Sequence, residues 1–407
     1  MKKYKIGLYI ALILSVMMGI ITYEYIFYRQ IPDILYLQKG NAEKIEFALP
    51  VTANLVASDE AYIETWDHGQ EIQNSYIWEL KLFGILPLKD IEVQVVEEQQ
   101  VYPIGIPIGI YVKTDGVLVA DLGTMELSDG TEICPCENVL QEGDYILEIN
   151  GETISKKREV IEKVRQSDGQ PLIMQIRRNH QVSDVKVIPL QNTEGDYQIG
   201  AWVRDSAQGI GTLTYIDENN RFGALGHGIN DIDTSELMEI AYGKVYETQI
   251  ISIQKGTSGK PGEISGIVRF MEEAKQGDIV LNTPNGVYGV MEKAPEAAGL
   301  NEDLLYPVAL KQEIEIGDAQ ILCTINGERS FYDAKITEID YSQSKGNRGL
   351  VVEITDPALL AQTGGIVQGM SGSPILQNCK LICAVTNVFF NDTTKGYGIF
   401  IENMLEH

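Results

Sequence analysis

The sequence predicts a mostly β chain behind one N-terminal apolar helix. Three observations carry that reading. Short runs alternating apolar and polar residues recur from about residue 77 onward, glycine-bearing turns separate them, and sustained helical periodicity is scarce beyond the first ~30 residues.

The helix is read first. Lys2, Lys3 and Lys5 precede an uncharged run from Ile6 to Thr22, extended by the segment from Tyr25 to Tyr28. A run of roughly 17 uncharged residues is just long enough to span a bilayer, and basic residues before the run with Glu24 after it put the N-terminus in the cytoplasm. No small-x-small cleavage site follows, so residues 1–29 read as an uncleaved signal-anchor rather than a secretory leader. Nearly everything after residue 30 is then expected outside the cytoplasm.

Composition bounds the rest. A chain of 407 residues exceeds one ordinary core, so two or three folded domains are expected. With 44% hydrophobic and 22% charged residues it is of globular type, and a formal net charge of -26 disfavours nucleic acid as a partner. Five cysteines form no repeated spacing. Cys134-Pro135-Cys136 has no histidine near it and reads as two thiols in a loop rather than a metal or redox site.

Residues 30–98 form a small β-rich region. Ile77 to Phe83 and Ile91 to Val95 alternate as half-buried strands, and His68 beside Asp67 reads as an exposed loop pair. From residue 99 to 190 the pattern changes. A glycine-rich loop, Pro103 to Gly109, leads into strands at 110–112 and 116–120. Leu140-Gln141-Glu142-Gly143-Asp144-Tyr145-Ile146-Leu147-Glu148-Ile149-Asn150-Gly151 then gives a strand ending in a tight turn. An amphipathic helix near 156–167, with Val160, Ile161 and Val164, and strands at 172–176 and 185–188 complete the unit. This order resembles a PDZ domain of the kind attached to bacterial proteases. The resemblance implies a peptide added as a strand beside residues 108–113, its carboxylate held by a loop including Ile104, Gly105, Ile106 and Ile108. The alternative is a β-rich spacer that binds nothing.

After the polar joint Gln191–Asp196, residues 196–407 are strand-rich, as in barrels or a sandwich. Two segments there carry chemistry. In the segment from Thr363 to Pro374, Gly369 and Gly372 let Ser371 protrude from a tight turn while N–H groups of Gly369 and Ser371 point the same way. That suits a nucleophile beside an oxyanion hole, with Gly364 and Gly365 bordering an extended substrate; the alternative is an ordinary Gly/Ser/Pro turn. Of four histidines, only His227 is framed by glycines at the end of an apolar strand, where a general base is wanted. Asp356, fifteen positions before Ser371, is the candidate third member. Asp231 and Asp233 rival it, and an N-cap role with Pro357 at the first helical position is its alternative. One domain histidine with scattered carboxylates gives no metal site, and the chemistry needs no cofactor.

These segments together resemble the SpoIVB-type (S55) serine peptidases of endospore-forming bacteria. The resemblance runs from Leu82 to the C-terminus, sharpest at 223–234, at Lys255-Gly256-Thr257-Ser258-Gly259-Lys260-Pro261-Gly262-Glu263, at 355–378 and at 389–405. It implies a chymotrypsin-like double β-barrel with His227 on the first barrel and Ser371 on the second, and assigns nucleophile, base and acid to Ser371, His227 and Asp356. It further implies action between forespore and mother cell, self-processing, and cleavage of a membrane-bound regulator that triggers sigma-factor precursor activation. Asn387 stands where a family member can carry histidine, and Cys379 and Cys383 replace glycines. A membrane-anchored PDZ scaffold with an inactive peptidase domain is the alternative from another class.

Overall fold

The computed structural model of the chain describes residues 7, 9–19, 31–38, 51–58, 75–82, 84–295, 298–300, 304–343 and 346–406. They fall into two units, one of Met1–Gly105, Ile253–Glu263 and Leu300–His407, the other of Ile106–Ser252 and Ile264–Gly299. These units cut across the linear boundaries at 99–190 and 196–407, because long strands pass from one unit to the other.

In the first unit, residues 9–19 are helical, with exposed Tyr9, Ile10, Leu12, Ile13, Val16 and Met17. Residues 20–30, over which the expected span continues, lie outside the described residues, as do Asp67 and His68. Among the described residues no helix is long and apolar enough to cross a membrane. Strands β1 (Ile34–Gln38), β2 (Val51–Ser58), β3 (Ser75–Leu82) and β4 (Leu86–Val96) form a sheet in the order β1-β4-β3-β2. Alternation puts Leu35, Leu80, Ile91 and Val93 on one buried face.

The second unit is organised around β5 (Gln100–Leu122), whose residues from Ile106 onward belong to it. β6 (Tyr145–Ile149), α1 (Lys157–Gln166), β7 (Leu172–Arg178) and β8 (Gln181–Val187) follow, with the strands in the order β8-β7-β6-β5. This is the expected PDZ-like arrangement. Asn150 (φ +52) and Gly151 (φ +77) make the predicted turn, and Val160 and Val164 face the core while Ile161 stays exposed. The Gly143-Asp144 pair of the motif has a structural role. Asp144 is fully buried and its carboxylate accepts two bonds of 2.6 Å from Arg178.

Beyond the helix lie β9 (Ala201–Ile216), β10 (Arg221–Ala224), β11 (Ile240–Gln254), β12 (Glu263–Val268), β13 (Lys275–Thr283) and β14 (Gly286–Met291). Pairing runs β5-β9-β10-β14-β13-β11 and returns to β5, so six strands close a circuit. The last part of the first unit is a closed antiparallel barrel. It comprises β15 (Gly317–Ile325), β16 (Glu328–Ile339), β17 (Leu350–Ile354), β18 (Pro374–Gln377), β19 (Lys380–Val388) and β20 (Lys395–Phe400), paired β15-β16-β17-β20-β19-β18.

One expectation fails here. The glycine-rich loop at 103–109 is part of β5, and residues Ile108 to Thr114 pair with Glu247 to Ile240 of β11. The edge that pairs with β11 over these residues is thereby closed to an added peptide. Ile104 and Ile108 are 0% and 1% exposed, and Ile106 is buried. Ile104 O accepts from Arg329 Nε at 2.6 Å and Gly105 O from Thr324 Oγ1 at 2.9 Å. Glycine at 105 serves close packing: a Cβ there would stand 2.4 Å from Leu322 O.

Candidate active site

β10 ends at Ala224, and the chain reverses through Leu225 (φ +70) and Gly226 (φ +69) to present His227. A left-handed leucine costs about 1–2 kcal/mol, and such positions persist where neighbours over-determine them. Leu225 is buried, its N–H donates to Thr212 O at 3.2 Å, and its side chain lies over Gly211, where a Cβ would approach Leu225 Cδ2 to 1.9 Å.

His227 is half-buried, with Nδ1 2.8 Å from Gly228 O. A carbonyl only accepts, so the proton of the neutral ring sits on Nδ1 and Nε2 keeps its lone pair. Burial pushes the imidazole pKa below its ordinary value, against the opposing effect of the Gly228 bond. The group is therefore a neutral base at pH 7.

Side chains hold the loop that follows. Asp231, 2% exposed, accepts from Asp233 N (3.0 Å) and Thr234 N (3.1 Å) and is paired with Arg204. Asp233 takes the other arm of Arg204 at 2.7 Å. Among the described residues, neither rival carboxylate is bonded to His227. Asn282, from β13, accepts from Ile229 N (2.8 Å) and donates to Ile229 O and Met238 O (both 3.0 Å).

Ser371 and Asp356 belong to the other unit. Asp356 follows β17 and caps α2 (Pro357–Thr363), its Oδ1 accepting from Ala358 N (2.8 Å) and Leu359 N (2.9 Å). Among the described residues, its Oδ2 takes only a long 3.4 Å contact from Asp333 N. Gly364, at φ +73, ends α2 in the left-handed conformation glycine favours.

The segment Ile253–Glu263 is packed against the turn that follows. Gly256 N donates to Thr363 O and Gln368 N to Gly262 O, both at 2.8 Å. This close approach explains the glycines. A Cβ at Gly364 would stand 2.3 Å from Gly256 O, one at Gly262 2.8 Å from Val367 Cγ1, and one at Gly365 2.0 Å from Thr393 O. Gly364 and Gly365, expected to border an extended substrate, are thus engaged in backbone packing.

Ser371 lies between Gly369 (φ +100) and Gly372 (φ +97). Gly372 N is tied to Val385 O at 2.7 Å and Ser373 N to Met370 O at 2.9 Å. Ser373 is fully buried, whereas Ser371 is partly exposed. The Ser371 hydroxyl donates to Thr386 O at 2.6 Å, and its own N–H makes no hydrogen bond among the described residues. Asn282, the Leu225 strain and the packing of 253–263 were not among the expected features of the site. Only the last left a signal, the glycine spacing at 256, 259 and 262.

A closed β-barrel that carries a serine on a glycine-bounded turn, in a chain that also holds a neutral, loop-mounted histidine, has the makings of a serine peptidase. The family model described as SpoIVB peptidase S55 matches residues 195–405, more than half of the chain. The chain belongs to that family and is a serine peptidase.

A search of curated proteins finds no match. Among solved structures, the PDZ domain of an SdrC-like protein from Listeria monocytogenes is similar at 23% identity and TM-score 0.18, over 22% of this chain and 87% of that one. A protease from M. tuberculosis is similar in its active form at 14% identity and TM-score 0.26, over 49% of this chain and 72% of that one. Its inactive form gives 12% identity and TM-score 0.24, over 48% of this chain and 81% of that one.

Proposed function

We propose that the chain is a membrane-anchored, extracytoplasmic serine endopeptidase that processes itself and cleaves a membrane-bound regulatory protein, as the family's link to sigma-factor activation suggests. Ser371 Oγ leaves Thr386 O and attacks the scissile carbonyl, and His227 Nε2 takes its proton. The N–H groups of Gly369 and Ser371 receive the oxyanion. Asp356 is proposed as the acidic member, through Oδ2, the oxygen its helix cap leaves least engaged.

The observation that carries the reading is Ser371 itself, a partly exposed serine inside the family-matched segment whose N–H makes no hydrogen bond among the described residues. The anchor is supported by the exposed apolar side chains of residues 9–19. The inactive-scaffold reading draws on one observation, the Ser371–Thr386 bond, which holds the hydroxyl in its resting direction.

The test is self-cleavage of the purified full-length chain against Ser371→Ala. Processing is expected in the first and none in the second. Equal processing would remove Ser371 from the mechanism.

A further inference from the structure

We propose that Cys134 and Cys136 form a reversible disulfide, a two-electron redox site built into the turn that packs on Ile199–Gly200. The inference does not rest on the peptidase reading.

The turn brings the two sulfurs together. Glu137 N donates to Cys134 O at 3.1 Å, and both Val139 N and Leu140 N donate to Cys136 O at 3.0 Å. The chain curls tightly around Pro135, whose ring fixes φ between the two thiols. Sγ lies 3.6 Å from Sγ, so the bond forms with an approach of about 1.5 Å. The other three cysteines sit elsewhere, Cys323 and Cys383 buried and Cys379 exposed.

The two thiols have different surroundings, which sets the order of exchange. Cys134 is partly exposed and can meet an external disulfide. Cys136 is fully buried, and burial pushes its thiol up to about 12. Cys134 therefore attacks first.

The oxidant is a low-molecular-weight disulfide. The Cys134 thiolate attacks one of its sulfurs, that S–S bond breaks, and the far sulfur leaves with the electron pair. Cys136 then gives up its proton and attacks Cys134 Sγ, expelling the second external sulfur as a thiolate. The two protein protons end on the two released thiols. One external disulfide is reduced and one protein disulfide is formed.

The site is also coupled to its neighbours. Cys136 N donates to Ile199 O at 3.1 Å, Cys134 Sγ lies 3.6 Å from Gly200 O, and a Cβ at Gly200 would come within 3.1 Å of that sulfur. Oxidation therefore acts on the segment that leads directly into β9.

The test equilibrates the full-length chain carrying Cys379→Ser in mixtures of oxidised and reduced glutathione. Acid quenching, alkylation with N-ethylmaleimide and peptide mass mapping follow. The expected product under oxidising mixtures is a 134–136 peptide two hydrogens lighter and unalkylated, returned to the dithiol by dithiothreitol. With Cys136→Ser added, a glutathione adduct is expected to persist on Cys134. Alkylation of both cysteines at every ratio, or a lasting glutathione adduct on the unmutated pair, would overturn the proposal.

Discussion

The turns that carry His227 and Ser371 are alike in outline and opposite in construction. Each follows a barrel-type strand or helix and passes through left-handed residues, Leu225 and Gly226 in one, Gly369 and Gly372 in the other. The His227 turn is held by side chains, with Asn282 clamping Ile229 and Met238 and Arg204 bracing Asp231 and Asp233. The Ser371 turn rests on close backbone packing, with the hydroxyls of Thr363 and Thr393 bonded to Gly365 and Gly364. Gly256, Gly262, Gly364 and Gly365 let backbone meet backbone at distances that no Cβ would tolerate. Each turn is vulnerable in its own way. One is damaged by removing atoms, the other by adding a single carbon.

The largest effect is therefore expected at Gly365→Ala, which puts a Cβ 2.0 Å from Thr393 O at φ +127. Overpacking and strain together cost about 3 kcal/mol, read as a lowered denaturation midpoint with loss of peptidase activity. An unchanged midpoint would break the contrast. On the other side, Asn282→Ala removes the bonds to Ile229 N, Ile229 O and Met238 O, of which Ile229 O keeps the one from Met238 N. A loss of about 2 kcal/mol is expected, with kcat reduced more than KM is raised as His227 loses its fixed position.

A third prediction separates the carboxylates. Asp356→Ala removes the α2 cap, worth about 1 kcal/mol. If Asp356 is the third catalytic member, as proposed, its loss also lowers kcat by far more than a damaged cap explains. Asp231→Asn is expected to keep most activity, and the reverse outcome in the pair would move the acidic role to Asp231.

The smallest effect concerns pH. Because burial lowers the His227 pKa, the imidazole is neutral at pH 7, and activity is lost as pH falls through a midpoint below its ordinary 6.5. A pH–rate profile with its acid limb above 6.5 would contradict that environment.

What was legible in the sequence was local. The alternation expected at Ile77–Phe83 and Ile91–Val95 falls in β3, up to Leu82, and in β4, with Phe83 outside the described residues; Asn150-Gly151 makes its turn, and the helix expected near 156–167 spans Lys157–Gln166. The prolines and glycines at 103–109 read as a loop because their local preference is for turns. They lie within the long strand β5, whose stretch from Ile108 onward pairs with β11 more than a hundred residues later. The doublet Gly364-Gly365 was legible as glycine but not as packing, since its partners at 256 and 393 are remote. Asp356 was foreseen in both a capping and a catalytic role. The cap is seen, because Pro357 and the N–H groups of Ala358 and Leu359 are its immediate neighbours.

Ser371 is proposed above as the nucleophile and His227 as its base. A fluorophosphonate, which modifies activated serines, applied to the purified full-length chain and followed by peptide mass mapping tests it directly. The predicted result is one adduct, on Ser371, absent from Ser371→Ala and sharply reduced in His227→Ala when both variants keep the parent melting profile. An adduct on another serine, or labelling of Ser371 undiminished by His227→Ala, would contradict it.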